Sequence, residues 1–256
     1  ALAERIRTKT VPGSKRARPV FVAAPLIGRA TEHIALVKAY RNVRREGPQA
    51  FILVGEAGIG KTRLASDFLR WATAQGADVL QGRAFETGGR LPYQPLVEAL
   101  RSRIERENAP DNLLNDVWLA ELSHLLPELR ERYPDLPSPL TLGEAEARTR
   151  FFEAIVLLCQ ALAAQAPVVL FIDDLQWVDV ASLDMLHYAG RRWAENRVPV
   201  LLLLSLRSEQ LTTTPQLSEW LTRLGRDLPL TRLNLKPLTA ENTLQLVHAL
   251  GIEDNE

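Results

Sequence analysis

The eight residues from Gly55 to Thr62 have the spacing of a phosphate-binding loop. Their sequence, GEAGIGKT, is a glycine, four residues and then Gly-Lys-Thr. Glycines let backbone N–H groups curl around phosphate oxygens, and the helix that follows points its positive N-terminal end at the same phosphates. In this interpretation Lys61 contacts the β- and γ-phosphates, and the Thr62 hydroxyl coordinates Mg²⁺. The alternative is an ordinary glycine-rich turn, which the predicted strand before it and helix after it disfavour.

Two adjacent carboxylates follow an apolar run later in the chain. Residues 168–172, VVLFI, are typical of a buried strand, and Asp173 and Asp174 come directly after it. Ligands bind at the carboxyl ends of strands in open α/β sheets. Asp173 is therefore a candidate for holding Mg²⁺, directly or through water, and Asp174 for polarising the attacking water as general base. Alone, such a pattern often marks only a strand that enters an N-capped turn.

A single arginine, Arg207, ends another apolar run at residues 201–206. If this strand lies between the strand of the phosphate-binding loop and the Asp173 strand, Arg207 faces the γ-phosphate. It could then report whether ATP or ADP is bound, through a charge-assisted hydrogen bond. The alternative is a surface arginine in a salt bridge, and the other two motifs together favour the sensor interpretation.

Strands and helices alternate along most of the chain and would position these groups. Apolar runs predict strands, and apolar residues at helical spacing predict helices. The predicted strands cover residues 50–54, 77–83, 167–173, 198–206 and 231–235. The predicted helices cover residues 30–45, 61–74 and 181–194, and residues 95–165 are expected to be mostly helical. This alternation indicates an α/β fold with a mostly parallel sheet.

An uncharged segment at residues 154–172 is long enough to raise the question of a membrane span. Gln160 and Gln165 interrupt its apolarity, and Pro167 would break a helix there. We therefore expect two elements of a soluble domain, a helix followed by a buried strand, and no membrane partner. No secretory signal peptide opens the chain, so a cytoplasmic location is expected.

The composition of the 256 residues narrows the function classes. The chain carries 31 Lys and Arg against 31 Asp and Glu, so its formal net charge is zero. This balance disfavours a strongly electrostatic nucleic-acid binder, because no surplus positive charge neutralises phosphates. The single cysteine, Cys159, excludes an intramolecular disulfide framework and fits a reducing compartment. The four histidines have no metal-ligand spacing.

Several stretches together resemble the STAND-type ATPase domains, within the wider AAA-like group of P-loop NTPases. The stretches are PLIGRATEHIAL at 25–36, GEAGIGKTRL at 55–64, GRAFETGGRLPYQPLVEAL at 82–100, DDLQWVDVASLDML at 173–186, LLLLSLRSE at 201–209 and LNLKPLT at 233–239. Such domains occur in large LuxR-type transcription regulators and beside class III nucleotide cyclase domains of bacteria. The resemblance implies a three-layer P-loop NTPase fold whose five-stranded sheet has the order 5-1-4-3-2.

The resemblance also implies roles for individual residues. Ile27 and Arg29 would lie near the adenine and ribose of ATP or ADP. Asp173 would serve Mg²⁺, Asp174 hydrolysis and Arg207 nucleotide sensing. The nucleotide-binding set that it implies is Ile27, Arg29, Gly55, Gly58, Ile59, Gly60, Lys61, Thr62 and Arg63. The implied catalytic set is Lys61, Asp174 and Arg207, and the implied metal-binding pair is Thr62 and Asp173.

Three regions are expected along the chain. Residues 1–24 are basic and contain prolines and a glycine, and we expect a linker from an upstream domain, with a basic arm for an acidic partner as the alternative. Residues 25–236 would form the ATPase core. Residues 237–256 would begin a helical lid that is truncated in this chain.

We expect a slow, Mg²⁺-dependent ATPase that acts as a regulatory switch. Its ATP or ADP state would control attached output or sensor domains of the parent chain, with assembly into a homo-oligomer on activation. Direct nucleic-acid binding by this chain is not expected. Two alternatives stay open: a DNA-associated AAA+ ATPase, and a scaffold that binds nucleotide without turnover. An arginine finger from a neighbouring subunit is a weaker hypothesis than solvated charge for Arg191, Arg192, Arg223 and Arg226.

Overall fold

A five-stranded parallel sheet forms the centre of the computed structural model, which describes residues 26–86, 92–104, 113–138 and 143–250. The strands are β1 (Gln49–Gly55), β2 (Asp78–Arg83), β3 (Val168–Asp173), β4 (Val200–Arg207) and β5 (Leu230–Asn234). Their order across the sheet is β2-β3-β4-β1-β5, and each neighbouring pair is parallel. This is the predicted order 5-1-4-3-2 counted from the opposite edge, so the prediction is confirmed.

Helices follow the strands and cover both faces of the sheet. In the described residues they are α1 (Ala30–Glu46), α2 (Lys61–Ala74), α3 (Gln94–Ile104), α4 (Asp116–Leu122), α5 (Glu128–Arg132), α6 (Glu144–Gln165), α7 (Val180–Glu195), α8 (Gln210–Thr213), α9 (Pro215–Asp227) and α10 (Ala240–Ala249). One apolar core joins the sheet to α3, α4, α6, α7 and α9, and the other joins it to α1 and α2. The predicted three-layer sandwich is therefore confirmed.

Burial on both faces explains the composition of the central strands. Each residue of β3 is buried, and β4 is buried up to Leu206. Side chains alternate between the two cores along a strand: Phe51 and Leu53 belong to the α1–α2 side, whereas Ile52 and Val54 belong to the other. A strand that is apolar on both faces appears in sequence as a continuous apolar run, and this is why these strands could be predicted.

Close approach of α3 to β2 requires a glycine at position 82. A Cβ atom built on Gly82 would lie 1.8 Å from the carbonyl oxygen of Pro95. No side chain fits at such a distance, so α3 can pack on the sheet edge only because residue 82 has none.

Most predicted elements are present with ends that differ by one or two residues. The helix predicted at 61–74 is α2, and the uncharged segment at 154–172 divides as expected into the end of α6 and β3. No helix in the described parts of the chain is long and apolar enough to cross a membrane. The predicted linker at 1–24 and the last six residues of the predicted lid lie outside the described residues.

Helix α9, between β4 and β5, is an element that the sequence analysis missed. Its buried side chains are Leu217, Trp220, Leu221 and Leu224. These positions have the i, i+3, i+4, i+7 spacing of an amphipathic helix, and Pro215 at its first turn is a common start signal. The apolar spacing and the proline together would therefore have predicted this helix from the sequence.

Candidate active site

The phosphate-binding loop connects β1 directly to α2. Gly58 and Gly60 have φ angles of 77° and 100°, in the left-handed region that glycine adopts without strain. A Cβ atom on either residue would meet nothing within 4 Å, so backbone conformation and not crowding requires glycine there. At Gly55 the reason differs, because a Cβ atom would lie 2.9 Å from the Ile59 side chain. The loop can therefore present its backbone to a ligand.

Lys61, the first residue of α2, is buried although it carries a charge. Its Nζ donates hydrogen bonds of 2.8 Å to the carbonyl oxygens of Gly55 and Glu56. Burial lowers the pKa of Lys61, while the carboxylate of Asp174 acts in the opposite direction and Arg207 lowers the pKa further. The ammonium is thus held in the loop by backbone carbonyl groups. An anionic ligand beside it would favour the charged form of Lys61 and would itself be attracted to the loop.

Thr62 and Asp173 form the predicted metal-binding pair and contact each other. The Thr62 hydroxyl donates to Oδ2 of Asp173 at 2.9 Å, and the Ser205 hydroxyl donates to Oδ1. Asp173 is only 1% exposed. A hydroxyl beside a carboxylate offers the hard oxygen ligands that Mg²⁺ prefers, so these residues fit the ion. Within the described residues, no cluster of three or more His, Cys, Asp and Glu side chains could hold a metal.

Asp174 follows with a left-handed backbone, at φ 59° and ψ 51°. Its N–H donates to the Ser205 hydroxyl oxygen at 2.9 Å. Its carboxylate accepts hydrogen bonds at both oxygens: Oδ1 from Gln176 at 2.9 Å, and Oδ2 from the Arg83 guanidinium at 3.1 Å. Two side chains therefore fix the orientation of the carboxylate of the predicted general base, and the Ser205 hydroxyl holds its backbone.

The sequence analysis assigned no role to these three residues, Arg83, Gln176 and Ser205. Arg83 is the last residue of β2, whose place beside β3 was predicted, so its nearness to the Asp pair could have been inferred. Ser205 is one polar residue inside an apolar run, and Gln176 follows the Asp pair by two residues. For Gln176 no spacing rule marks the contact in advance.

Arg207 lies where the sensor hypothesis requires it. Strand β4 is placed between β1 and β3, so Arg207 ends beside both the loop and the Asp pair. It lines a cavity of about 250 Å³ at this edge of the sheet. The residues that line this cavity are Ala57, Gly58, Gly60, Lys61, Thr62, Arg63, Arg83, Asp174 and Arg207. Most of the predicted phosphate and catalytic residues therefore share one cavity.

The entry segment contacts the loop instead of the cavity. The Arg29 guanidinium is buried and donates to the carbonyl oxygen of Ile59 at 3.1 Å and to the Glu32 carboxylate at 3.0 Å. Ile27 is half-buried beside it in the chain. Arg29 thus braces the phosphate-binding loop. Contact of Ile27 and Arg29 with adenine or ribose stays a prediction.

The candidate arginine fingers differ in their surroundings. Arg192 pairs with Glu153 and Glu195, and these hydrogen bonds raise its pKa. Arg191 lies 3.7 Å from Glu195. Arg223 and Arg226 line a shallow surface cavity along α9. Arg191 and Arg192 thus make ion pairs with carboxylates of α6 and α7, and a role as arginine finger or as solvated charge stays a prediction for each of the four arginines.

The sheet order and the loop geometry define a P-loop NTPase. A model described as the AAA ATPase domain matches residues 25–203, more than half of the chain. The chain therefore belongs to the AAA ATPase domain family.

Two relatives are much longer than this chain. An uncharacterized protein of Rhizobium meliloti (strain 1021) is 26% identical over 246 residues, which cover 89% of this chain and 22% of that protein. Hybrid signal transduction histidine kinase G of Dictyostelium discoideum is 25% identical over 178 residues, which cover 63% of this chain and 5% of that protein. The chain thus spans less than a quarter of the length of these relatives.

Among solved structures, Cdc6p from Pyrobaculum aerophilum has a TM-score of 0.52 to this chain at 14% identity. The likeness covers 91% of this chain and 51% of that chain. At this level of identity it shows a shared fold and nothing finer.

Proposed function

We propose that this chain is an ATP-binding, slowly ATP-hydrolysing regulatory module of a larger protein. One observation carries the proposal: Lys61, Thr62, Asp174 and Arg207 line a single cavity at the carboxyl edge of the sheet, with Asp173 hydrogen-bonded to Thr62. A lysine, a hydroxyl–carboxylate pair, a second carboxylate and an arginine are the groups that phosphoryl transfer to water requires.

Each group has a stated task in hydrolysis. The loop and Lys61 bind and orient the β- and γ-phosphates. Thr62 and Asp173 would hold Mg²⁺, which when bound neutralises charge on the phosphate oxygens. Asp174 accepts the proton of a water whose oxygen bonds to the γ-phosphorus. The bond from that phosphorus to the bridging oxygen then breaks, and its electron pair leaves with ADP. Arg207 stabilises charge on the γ-phosphate and distinguishes ATP from ADP.

Slow turnover follows from the contacts of Asp174. Both of its carboxylate oxygens already accept hydrogen bonds, from Gln176 and Arg83. Each oxygen keeps a lone pair for water, but the two donors fix the orientation of the carboxylate, and it must turn before it lines up with a water that attacks the γ-phosphorus. Slow hydrolysis suits a switch, because the ATP state then lasts long enough to control attached domains.

The longer relatives support the assignment to a multidomain regulator. One of them carries signal transduction in its name, and this chain covers only 5% of it. Together with the stretches that resemble STAND-type domains, this favours a nucleotide-controlled module in a signalling or transcription regulator. Activation would involve assembly into a homo-oligomer, which size-exclusion chromatography in Mg-ATP and in Mg-ADP can detect.

The test begins with the purified chain. We expect ADP or ATP to be released on denaturation, a higher melting temperature in Mg-ATP, and slow phosphate release. Binding without phosphate release would favour the scaffold alternative. Binding to duplex DNA that weakens steeply with salt would favour a DNA-associated ATPase. Loss of all nucleotide binding would contradict the proposal outright.

A further inference from the structure

We propose that Gln176 is a positioning residue that links Arg207 to Asp174, so that the nucleotide sensed by Arg207 sets the orientation of the Asp174 carboxylate. The inference rests on the proposed function, in which Arg207 contacts the γ-phosphate and Asp174 activates water. It adds a specific connection between sensing and hydrolysis within one subunit.

Both ends of the Gln176 amide are used, and they reach two different strand ends. Nε2 donates to Oδ1 of Asp174 at 2.9 Å, after β3. Oε1 accepts from the backbone N–H of Arg207 at 3.3 Å, at the end of β4. An amide group is planar and carries its donor and acceptor on one carbon. A shift of the Arg207 backbone therefore moves the donor that holds Asp174.

The local backbone keeps Gln176 in this position. Residues Leu175–Trp177 form a 3₁₀ turn directly after Asp174. Leu175 is buried in the core, and the Trp177 N–H donates to the Asp174 carbonyl oxygen at 2.9 Å. The turn is thus anchored at both sides of Gln176, so the glutamine side chain has a fixed base from which to bridge the two strands.

Arg207 contacts the same turn a second time through its side chain. Its guanidinium lies 5.8 Å from the centre of the Trp177 ring, within the range of a cation–π contact. The guanidinium is also on the wall of the cavity. A γ-phosphate would draw the guanidinium away from the ring, because a charge-assisted hydrogen bond is stronger than a cation–π contact at a partly exposed site. ADP offers no such group.

The consequence is a different Asp174 in the two nucleotide states. With ADP, Arg207 stays on Trp177, and Gln176 holds the Asp174 carboxylate in the orientation of this structure. With ATP, the end of β4 shifts toward the phosphate and Gln176 moves with it, so the carboxylate turns into line with the attacking water. Gln176 thereby acts through Asp174 and touches no reacting atom.

The variants Gln176→Ala and Gln176→Glu separate the two halves of the link. Alanine removes both hydrogen bonds. We expect kcat to fall about tenfold to a hundredfold, with KM within about twofold, because the base is misplaced while the phosphate contacts remain. The ratio of ATP to ADP affinity also falls. Glutamate keeps an acceptor for Arg207 but cannot donate to Asp174, so kcat falls while the affinity ratio stays near that of the wild type.

Two comparisons complete the design. Gln49→Ala removes a half-buried glutamine with one hydrogen bond, to Glu46, at the start of β1, and it should leave kcat and the affinity ratio unchanged. In an Arg207→Ala background, Gln176→Ala should not change the affinity ratio further, since the guanidinium that senses the γ-phosphate is then absent although the backbone N–H that Gln176 accepts from is kept. A melting temperature for each variant checks folding, and the isosteric glutamate variant serves if the alanine variant does not fold.

The failures are distinguishable. A Gln176→Ala protein with wild-type kcat and affinity ratio overturns the inference alone. So does a glutamate variant in which the ratio falls as far as in the alanine variant. If the wild type binds ATP without turnover, the hydrolysis proposal fails and the affinity ratio still decides the link. A wild-type ratio of one, or no nucleotide binding, overturns the inference together with the sensor role of Arg207.

Discussion

Two regions of the molecule bury charge, and they do so differently. Between α4 and α6, Glu121 is 3% exposed and lies 2.8 Å from Arg150, whose guanidinium also covers the Trp118 ring at 5.1 Å. At the carboxyl edge of the sheet, Lys61 is 6% exposed, and its Nζ is hydrogen-bonded to two carbonyl oxygens. Lys61 makes no ion pair with any described residue.

The difference separates charge that serves the fold from charge that serves a ligand. The charge of a buried carboxylate is compensated when a guanidinium pairs with it. If one partner is removed, the other stays buried without a counter-ion, and this destabilises the fold. A buried ammonium held by neutral dipoles has no hydrogen-bonded counter-ion; Asp174, Glu209 and Asp173 favour its charged form from a distance, but burial has the larger effect and lowers its pKa. A triphosphate would supply the direct negative partner that Lys61 lacks among the described residues.

The largest expected effect is the loss of nucleotide binding in Lys61→Ala. The melting temperature rise in Mg-ATP should disappear, because the phosphates lose their buried cation. The nucleotide-free protein should melt near the wild-type temperature, because no ion-pair partner is left behind. Differential scanning fluorimetry with and without Mg-ATP measures both. Lys38→Ala, an exposed lysine on α1, is the matched control. An undiminished rise in Lys61→Ala would remove the loop from nucleotide binding.

The second effect is on turnover, in Asp174→Asn. We expect kcat to fall about 10² to 10⁴-fold, the usual contribution of a general base, with ATP affinity retained. Phosphate release and a fluorescent-nucleotide titration measure the two quantities. Asp184→Asn is the control, because Asp184 is half-buried and pairs with Arg148 outside the cavity. Equal turnover in Asp174→Asn and the wild type would show that Asp174 is not the base.

For the Glu121–Arg150 pair we expect the opposite: a loss of stability and no change at the nucleotide site. Glu121→Ala should lower the free energy of unfolding by about 2 kcal/mol, below the range for a fully buried pair because the Arg150 side chain is 26% exposed. ATP affinity and kcat should not change. Urea denaturation and the same nucleotide titration measure the contrast. Weaker ATP binding by Glu121→Ala at unchanged stability would show that this ion pair serves the ligand, and would contradict the difference between it and the Lys61 site.

Local sequence patterns predicted the loop and the strands that form the site, but they did not determine the side-chain contacts within it. The phosphate-binding loop and the apolar strands are continuous segments, so their identity and the sheet order could be inferred from Gly55–Thr62 and from the runs before Asp173 and Arg207. Contacts across strands depend on register, which no local pattern specifies.

Ser205 illustrates the point. Its hydroxyl reaches Asp173 and the N–H of Asp174 only because β4 and β3 pair in one register, with Ile172 opposite Leu204. A slip by one residue would point it to the other face of the sheet. Arg83 similarly reaches Asp174 because β2 pairs with β3 so that Arg83 lies opposite Asp173. The nearness of Arg83 to the Asp pair could be inferred from the predicted strand order, whereas the register that forms each of these contacts is seen only in the folded sheet.

The smallest expected effect is a dependence on pH that Lys61 causes. Its sign is opposite for the free energy of unfolding and for the ATP affinity. Burial lowers its pKa below the ordinary 10.5, so the ammonium loses its proton in the folded protein at a lower pH than in the unfolded chain. Between those two pKa values the unfolded chain binds more protons, and the free energy of unfolding of the nucleotide-free protein therefore rises with pH relative to Lys61→Ala. ATP affinity falls over the same window, because the phosphates lose their cation. Urea denaturation and ATP titration from neutral pH to about 10 measure the two slopes. If both quantities change in the same direction, then Lys61 is not the buried charge without a hydrogen-bonded counter-ion that distinguishes the site from the Glu121–Arg150 pair.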